Sequence, residues 1–314
     1  MTRKLTVSVL VVAFATVAWA GQASTLIPDV RKAIAAKDAG RVDQLLTTFK
    51  AQHGVTSEWL AALSWRARGA LADRQLDAAE RYATETAELA QPLLRKGSVD
   101  QDAHLPIAVG AAIEVLAQVN AARGARTDAL VFLQNERQRY GGTSIEKRIQ
   151  KNINLLSLEG TVAPPLDLAD YLGAPPPPLA QLKGKVVLLF FWAHWCSDCK
   201  AQAPILAELA SRYAAQGLVV MAPTQRFGYV AGGRPATAQE EASYIDEIRQ
   251  RTYAVLHDQS IPLSEANHRR YGVSSTPTLV LLDREGVVRL YHPGRMTLQD
   301  LEPVIKRLVT GATR

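Results

Sequence analysis

The chain has 314 residues, 47% hydrophobic and 21% charged, with 16 Pro and 20 Gly, a composition that excludes a wholly disordered or fibrous protein and leaves room for about two domains. Its two cysteines, Cys196 and Cys199, form a single Cys-x-x-Cys, which excludes a disulfide-stapled scaffold and a four-cysteine zinc site within one chain. The formal net charge of +6 is spread along the sequence without a block of like charges, so nucleic acid is not an expected partner.

Arg3 and Lys4 precede an uncharged, mostly apolar run from Leu5 to Ala20, and Ala18-Trp19-Ala20 places small residues where a signal peptidase reads. Residues 1–20 are therefore expected to be a signal peptide, with the body of the chain exported to the periplasm. An uncleaved membrane anchor is the alternative reading, although the run is shorter than the ~20 residues that span a bilayer.

Residues 21–159 read as an all-α domain. Val42, Leu45, Leu46 and Phe49 fall at helical spacing, as do Leu60, Leu63 and Ala67, and then Ile145, Ile149, Ile153 and Leu156. Breaks at Gly54, Asp73-Arg74, Gly97, Gly124 and Gly141-Gly142 divide the region into six helices or so. Val42-Asp43 and Leu76-Asp77, like Ala36 and Ala70, stand 34 residues apart, the tetratricopeptide period, but Thr127-Asp128-Ala129 breaks the spacing. A tetratricopeptide-like array that binds a protein partner is expected here.

Composition changes at Gly160. Two proline clusters, Pro164-Pro165 and Pro175 to Pro178, flank a short stretch to which Leu166, Leu168, Tyr171 and the following Leu179 give apolar residues, which reads as a covering segment opening a second domain at residues 160–314. A strand at Val186–Phe191, a helix at 201–215 and a strand at 218–221 then make a βαβ unit. A helix at 237–250 opens on a Thr237-x-x-Glu240 capping box. A strand at 278–282, a turn at Asp283 to Gly286, a strand at 287–291 and a helix carrying Leu298, Leu301, Ile305 and Leu308 close the chain. The glycine-rich loop Phe227 to Pro235 reads as a connection, or a partner-recognition loop, with no catalytic part.

The run Lys183 to Lys200, with Phe191-Trp192-Ala193-His194-Trp195-Cys196-Ser197-Asp198-Cys199 at its centre, followed downstream by Gly272 to Thr278 with Thr276-Pro277, resembles the TlpA/ResA-like branch of exported thioredoxin-fold oxidoreductases. The resemblance spans residues 160–314 and leaves the helical half outside it. It implies an α/β thioredoxin-like fold, a mixed sheet with helices on both faces, preceded by the all-α array. It also implies thiol-disulfide exchange without cofactor or metal.

A thiolate at a helix N-terminus is favoured by unpaired backbone N–H groups and the helix dipole. Cys196 is thus expected to be the exposed nucleophile, and Cys199, one turn on, the resolving thiol. By the resemblance, Trp195, Thr276 and Pro277 bind substrate, with Thr276-Pro277 a cis bond. Ser197 and Asp198 tune the couple, the Asp198 charge opposing a thiolate and favouring a reductant. Trp192 reads as core packing and His194 as a strand-end neighbour or a solvent-facing filler.

Two departures from the family pattern stand out: Phe190 occupies the place of thioredoxin's buried acid, and Gln202 that of a frequent Glu. Leu189 and Ala193 stand where a peroxiredoxin carries Pro and Thr, which disfavours peroxide reduction. The expected partners are a disulfide-containing protein substrate, an upstream dithiol electron donor, membrane-bound or soluble, and a protein bound by the helical array. The competing reading is a docking protein whose array does the work and whose thioredoxin-like half is a scaffold with residual redox activity.

Overall fold

The computed structural model describes residues 26–311, so the expected signal peptide lies outside the described residues. Helices α1 (Leu26–Ala35), α2 (Ala39–His53), α3 (Ser57–Ala72), α4 (Leu76–Leu94), α5 (Leu105–Ala122), α6 (Arg126–Arg139) and α7 (Glu146–Ser157) fill the first half. The anticipated breaks all fall between helices, and Gly54 caps α2 with a positive φ. The separation of α1 from α2 had no glycine or proline to announce it. There Lys37 takes a left-handed conformation, and Asp38 caps α2 by accepting the Arg41 N–H.

The same corner recurs at Arg74 and Gly124, each left-handed, with the Asp38, Gln75 and Ala125 N–H groups donating back to the Ala33, Ala70 and Asn120 carbonyls. The pairs α1–α2, α3–α4 and α5–α6 are therefore helix hairpins joined by one kind of turn, with α7 following as a single helix. Helix α5 is long and apolar enough to cross a membrane, yet its Leu105, Ala108, Ala112, Val115 and Val119 are buried against neighbouring helices. Its apolarity is accounted for by that packing.

The second half opens on β1 (Tyr171–Leu172), which pairs with β4 (Ile261–Pro262) in a small sheet. Its main sheet has four strands, β2 (Val186–Phe191), β3 (Leu218–Met221), β5 (Thr278–Leu282) and β6 (Val288–Pro293), in the order β3-β2-β5-β6. β2 runs parallel to β3 and antiparallel to β5, which pairs antiparallel with β6. Between them in the chain lie α8 (Ser197–Tyr213), α9 (Ala238–Thr252), α10 (Glu265–Arg270) and, after β6, α11 (Leu298–Thr310).

Every residue of β2 is buried, and successive side chains point to opposite faces. Val186, Leu188 and Phe190 pack with α8, α9 and α11, whereas Val187, Leu189 and Phe191 meet Tyr271, Val273, the proline-flanked segment and Leu158 from the end of α7. The helical array is also docked on the sheet half. The Gly160 and Tyr291 N–H groups donate to the Val288 carbonyl and to Glu159, and Gly272, at a φ of 62°, lies against the α7 backbone at Gln150 and Lys151.

Candidate active site

The end of β2 delivers the cysteines. Trp192, fully buried, donates its Nε1–H to the Ala222 carbonyl at 3.0 Å and its backbone N–H to Pro223 at 3.3 Å, so the expected core role for this residue holds. Those two bonds fasten the strand end to the residues after β3. The chain then turns, and Cys196 becomes the N-cap of α8, its Sγ accepting the Cys199 N–H at 3.0 Å. Cys196 and Cys199 are disulfide-bonded, their Cα atoms 5.2 Å apart.

The Thr276–Pro277 peptide is cis, and the Thr276 carbonyl oxygen lies 3.4 Å from Cys196 Sγ. The loop is held from both sides, since Thr278 Oγ1 donates to Ser275 O and the Gly294 N–H donates to Pro277 O. Sequence positions 80 residues apart thus meet at one sulfur. Trp195 completes the rim at 49% exposure. Ser197 and Asp198 occupy the exposed first turn of α8.

The site differs from the sequence expectation in three respects. Cys196 is only 4% exposed, not an open nucleophile, because it lies between the Trp195 rim and the Thr276-Pro277 loop; Cys199 beneath it is fully buried. The Asp198 charge is not unopposed: Arg295 comes within 3.7 Å of it. An exposed pair of this kind is well screened, which weakens the expected effect of Asp198 on the thiols.

His194 is neither solvent-facing nor idle filler. It is buried beside a buried Glu241 on α9, with Nε2 3.3 Å from Oε1, and Phe227, Tyr229 and Tyr244 meet its ring edge-on at 5.3–5.6 Å. Burial pulls its pKa below the ordinary imidazole value, and Glu241 opposes that shift only in part. The glycine-rich loop therefore does belong to the site's surroundings, Phe227 standing edge-on to Trp195 with centroids 5.5 Å apart. Sequence reasoning missed Glu241, which stands beside the capping-box Glu240 in the first turn of α9.

The two departures are buried as well. Phe190 packs near Tyr253. Gln202, fully buried on α8, accepts the Met296 N–H at 2.8 Å through Oε1, while its Nε2 has no partner. Among the described residues there is no group of His, Cys, Asp and Glu able to hold a metal.

A disulfide at the N-terminus of the helix that follows the central strand, facing a cis-proline loop, defines a thioredoxin-fold thiol-disulfide site. A family profile described as a thioredoxin-like domain matches residues 179–308. The chain is 31% identical over 147 residues to the thioredoxin-like protein YneN of Bacillus subtilis, covering 46% of this chain and 76% of that protein. It is 31% identical over 143 residues to the thiol-disulfide oxidoreductase ResA of Geobacillus kaustophilus, covering 46% and 74%. Among solved structures it is similar to the exposed lipoprotein thioredoxin of Streptococcus pneumoniae, at 28% identity and a TM-score of 0.33 over 41% of this chain and 90% of that one. The chain belongs to the thioredoxin-like thiol-disulfide oxidoreductases of the ResA kind, and the helical array lies outside the matched region.

Proposed function

We propose that this oxidoreductase works as an exported reductant of protein disulfides, with Cys196 the nucleophile and Cys199 the resolving thiol. The observation that supports this most is the placing of Cys196 as the α8 N-cap, where its sulfur already accepts a backbone N–H. Once the pair is reduced, that N–H and the helix dipole favour negative charge on Cys196 over the buried Cys199. The Cys196 thiolate attacks one sulfur of a substrate disulfide, forming a mixed disulfide and releasing the first substrate thiolate. Cys199, deprotonated, then attacks Cys196 Sγ, expelling the second substrate thiolate and regenerating the Cys196–Cys199 disulfide. Two electrons pass to substrate, and an upstream dithiol reduces the Cys196–Cys199 disulfide again by the same exchange, supplying two electrons and becoming a disulfide itself.

Thr276 and Pro277 offer an extended substrate segment its docking edge beside Cys196, and Trp195 the adjoining surface. Ser197 and Asp198 adjust the couple, Asp198 less than its charge alone suggests. Residues 1–20 act as the export signal, 21–159 as a helical partner-binding domain of tetratricopeptide-like hairpins, and 160–314 as the redox domain. Insulin reduction with dithiothreitol as donor tests the reading: the wild-type protein shortens the lag to precipitation, and Cys196→Ser falls to the uncatalysed rate. A Cys196→Ser protein as fast as wild type would leave the array as the working part.

A further inference from the structure

Glu241 takes no part in the exchange chemistry, yet its carboxylate joins three separate pieces of the site. Buried on α9, it accepts the backbone N–H groups of Phe227 and Gly228 at 2.5 and 2.8 Å and faces His194 Nε2 at 3.3 Å. His194 lies two residues before Cys196, and Phe227 stands edge-on to both His194 and the half-exposed Trp195. An apolar side chain would fill this space at a lower desolvation cost. What a carboxylate adds is direction: the Phe227 and Gly228 N–H groups must point at it, and His194 is held beside it through Nε2.

Two basic groups around this wall are engaged elsewhere, and Lys200, near enough to His194 to act on its charge, is exposed on α8. Arg226, beside Phe227 in sequence, donates to Asp170 and to the Ala238 carbonyl, and Arg295 faces Asp198. Trp195 and Phe227 therefore offer an apolar surface next to the disulfide. We infer that Glu241 is a positioning residue that holds Phe227 against Trp195, and that the aromatic wall so formed selects substrate segments bearing an apolar side chain beside the reactive cysteine. The inference rests on the reading of Cys196 as nucleophile.

The test compares two disulfide peptides differing only in Leu or Ser next to one cysteine, together with bis(2-hydroxyethyl) disulfide, on wild type, Glu241→Ala and Phe227→Ala. Wild type has the lower KM for the Leu peptide. Glu241→Ala raises that KM about three- to tenfold, the span expected for losing one aromatic contact, and changes kcat much less. Trp195 emission shifts to the red, measured as the difference from a Trp195→Phe background. Phe227→Ala, which leaves the carboxylate and His194 in place, loses the same Leu-over-Ser preference.

A wild type without the preference, or a folded Glu241→Ala that keeps it, overturns the inference. Where Glu241→Ala does not fold, Phe227→Ala decides alone, and an unchanged Leu-over-Ser ratio in it overturns the inference. A wild-type protein inert toward bis(2-hydroxyethyl) disulfide as well removes the exchange reading itself, and the inference falls with it.

Discussion

Replacing Gly272 with Ala tests how firmly the helical array is set on the redox half. Gly272 holds a φ of 62°, and a Cβ there would lie 2.6 Å from the Lys151 Cα and 2.7 Å from the Gln150 carbonyl carbon, both backbone atoms of α7. A left-handed Ala costs ~1 kcal/mol by itself, and overpacking against a helix backbone adds ~1–3 kcal/mol. A total of ~2–4 kcal/mol lowers the melting temperature by roughly 3–6 °C in a chain of this size. Gly160→Ala is the control, because Gly160 has a φ of 86° and a methyl group there would meet nothing within 4 Å, so only the conformational part applies. Calorimetry on both variants reads the difference. Equal losses for Gly272→Ala and Gly160→Ala would refute the close docking of α7 beside the Thr276-Pro277 loop.

Three further outcomes follow from buried groups. Glu114 is buried on α5, which alone would raise its pKa, but Arg148 and Lys151 outweigh burial and hold it at about 2. Its contribution, ~3 kcal/mol, is present above the ordinary value of 4.5 and is lost as pH falls through 2; urea denaturation should show that acid-dependent part gone in Glu114→Gln, and an unchanged pH profile would contradict the assignment. His268, buried on α10, is pulled down by burial to about 3, so it stabilises the fold fully above pH 6.5 and progressively less as pH falls toward 3. His268→Leu should remove a slope of ~1.4 kcal/mol per pH unit in that window, read from urea midpoints. Gln202→Glu keeps the acceptor for Met296 and places a carboxylate one turn after Cys199, so stopped-flow decay of the mixed disulfide between about pH 6 and 9 should quicken, by less than the ~10²-fold of a well-placed base; no change at any pH would mean that residue 202 does not serve the thiols.

Much of the fold was legible because buried strands are continuous apolar runs. β2, β3 and β5 take the bounds expected from their apolar runs, and Thr237 caps α9 through the capping box expected of it. Helix α10 and strands β1 and β4 were not foreseen, since six and two residues are too few to show a period. The α1–α2 corner was hidden because a lysine, rather than a glycine, takes the left-handed turn.

At the site, the pairing of Cys196 with Cys199 and the approach of Thr276-Pro277 were carried by local motifs and the family resemblance. The covering of Cys196 and the Arg295 partner of Asp198 depend on loops brought together only by folding. Glu241 was invisible for the same reason. Its partners are 13 to 47 residues away, and nothing in α9 marks a buried acid.

The central claim, that Cys196 attacks and Cys199 resolves, is tested most directly by trapping. Reduced Cys199→Ser, mixed with a disulfide-bonded protein such as insulin, should accumulate a covalent complex whose linkage peptide mapping assigns to Cys196, and dithiothreitol should release it. Cys196→Ser should accumulate none. A complex that forms equally well in Cys196→Ser through Cys199, or a Cys199→Ser protein that never forms one, would contradict the account.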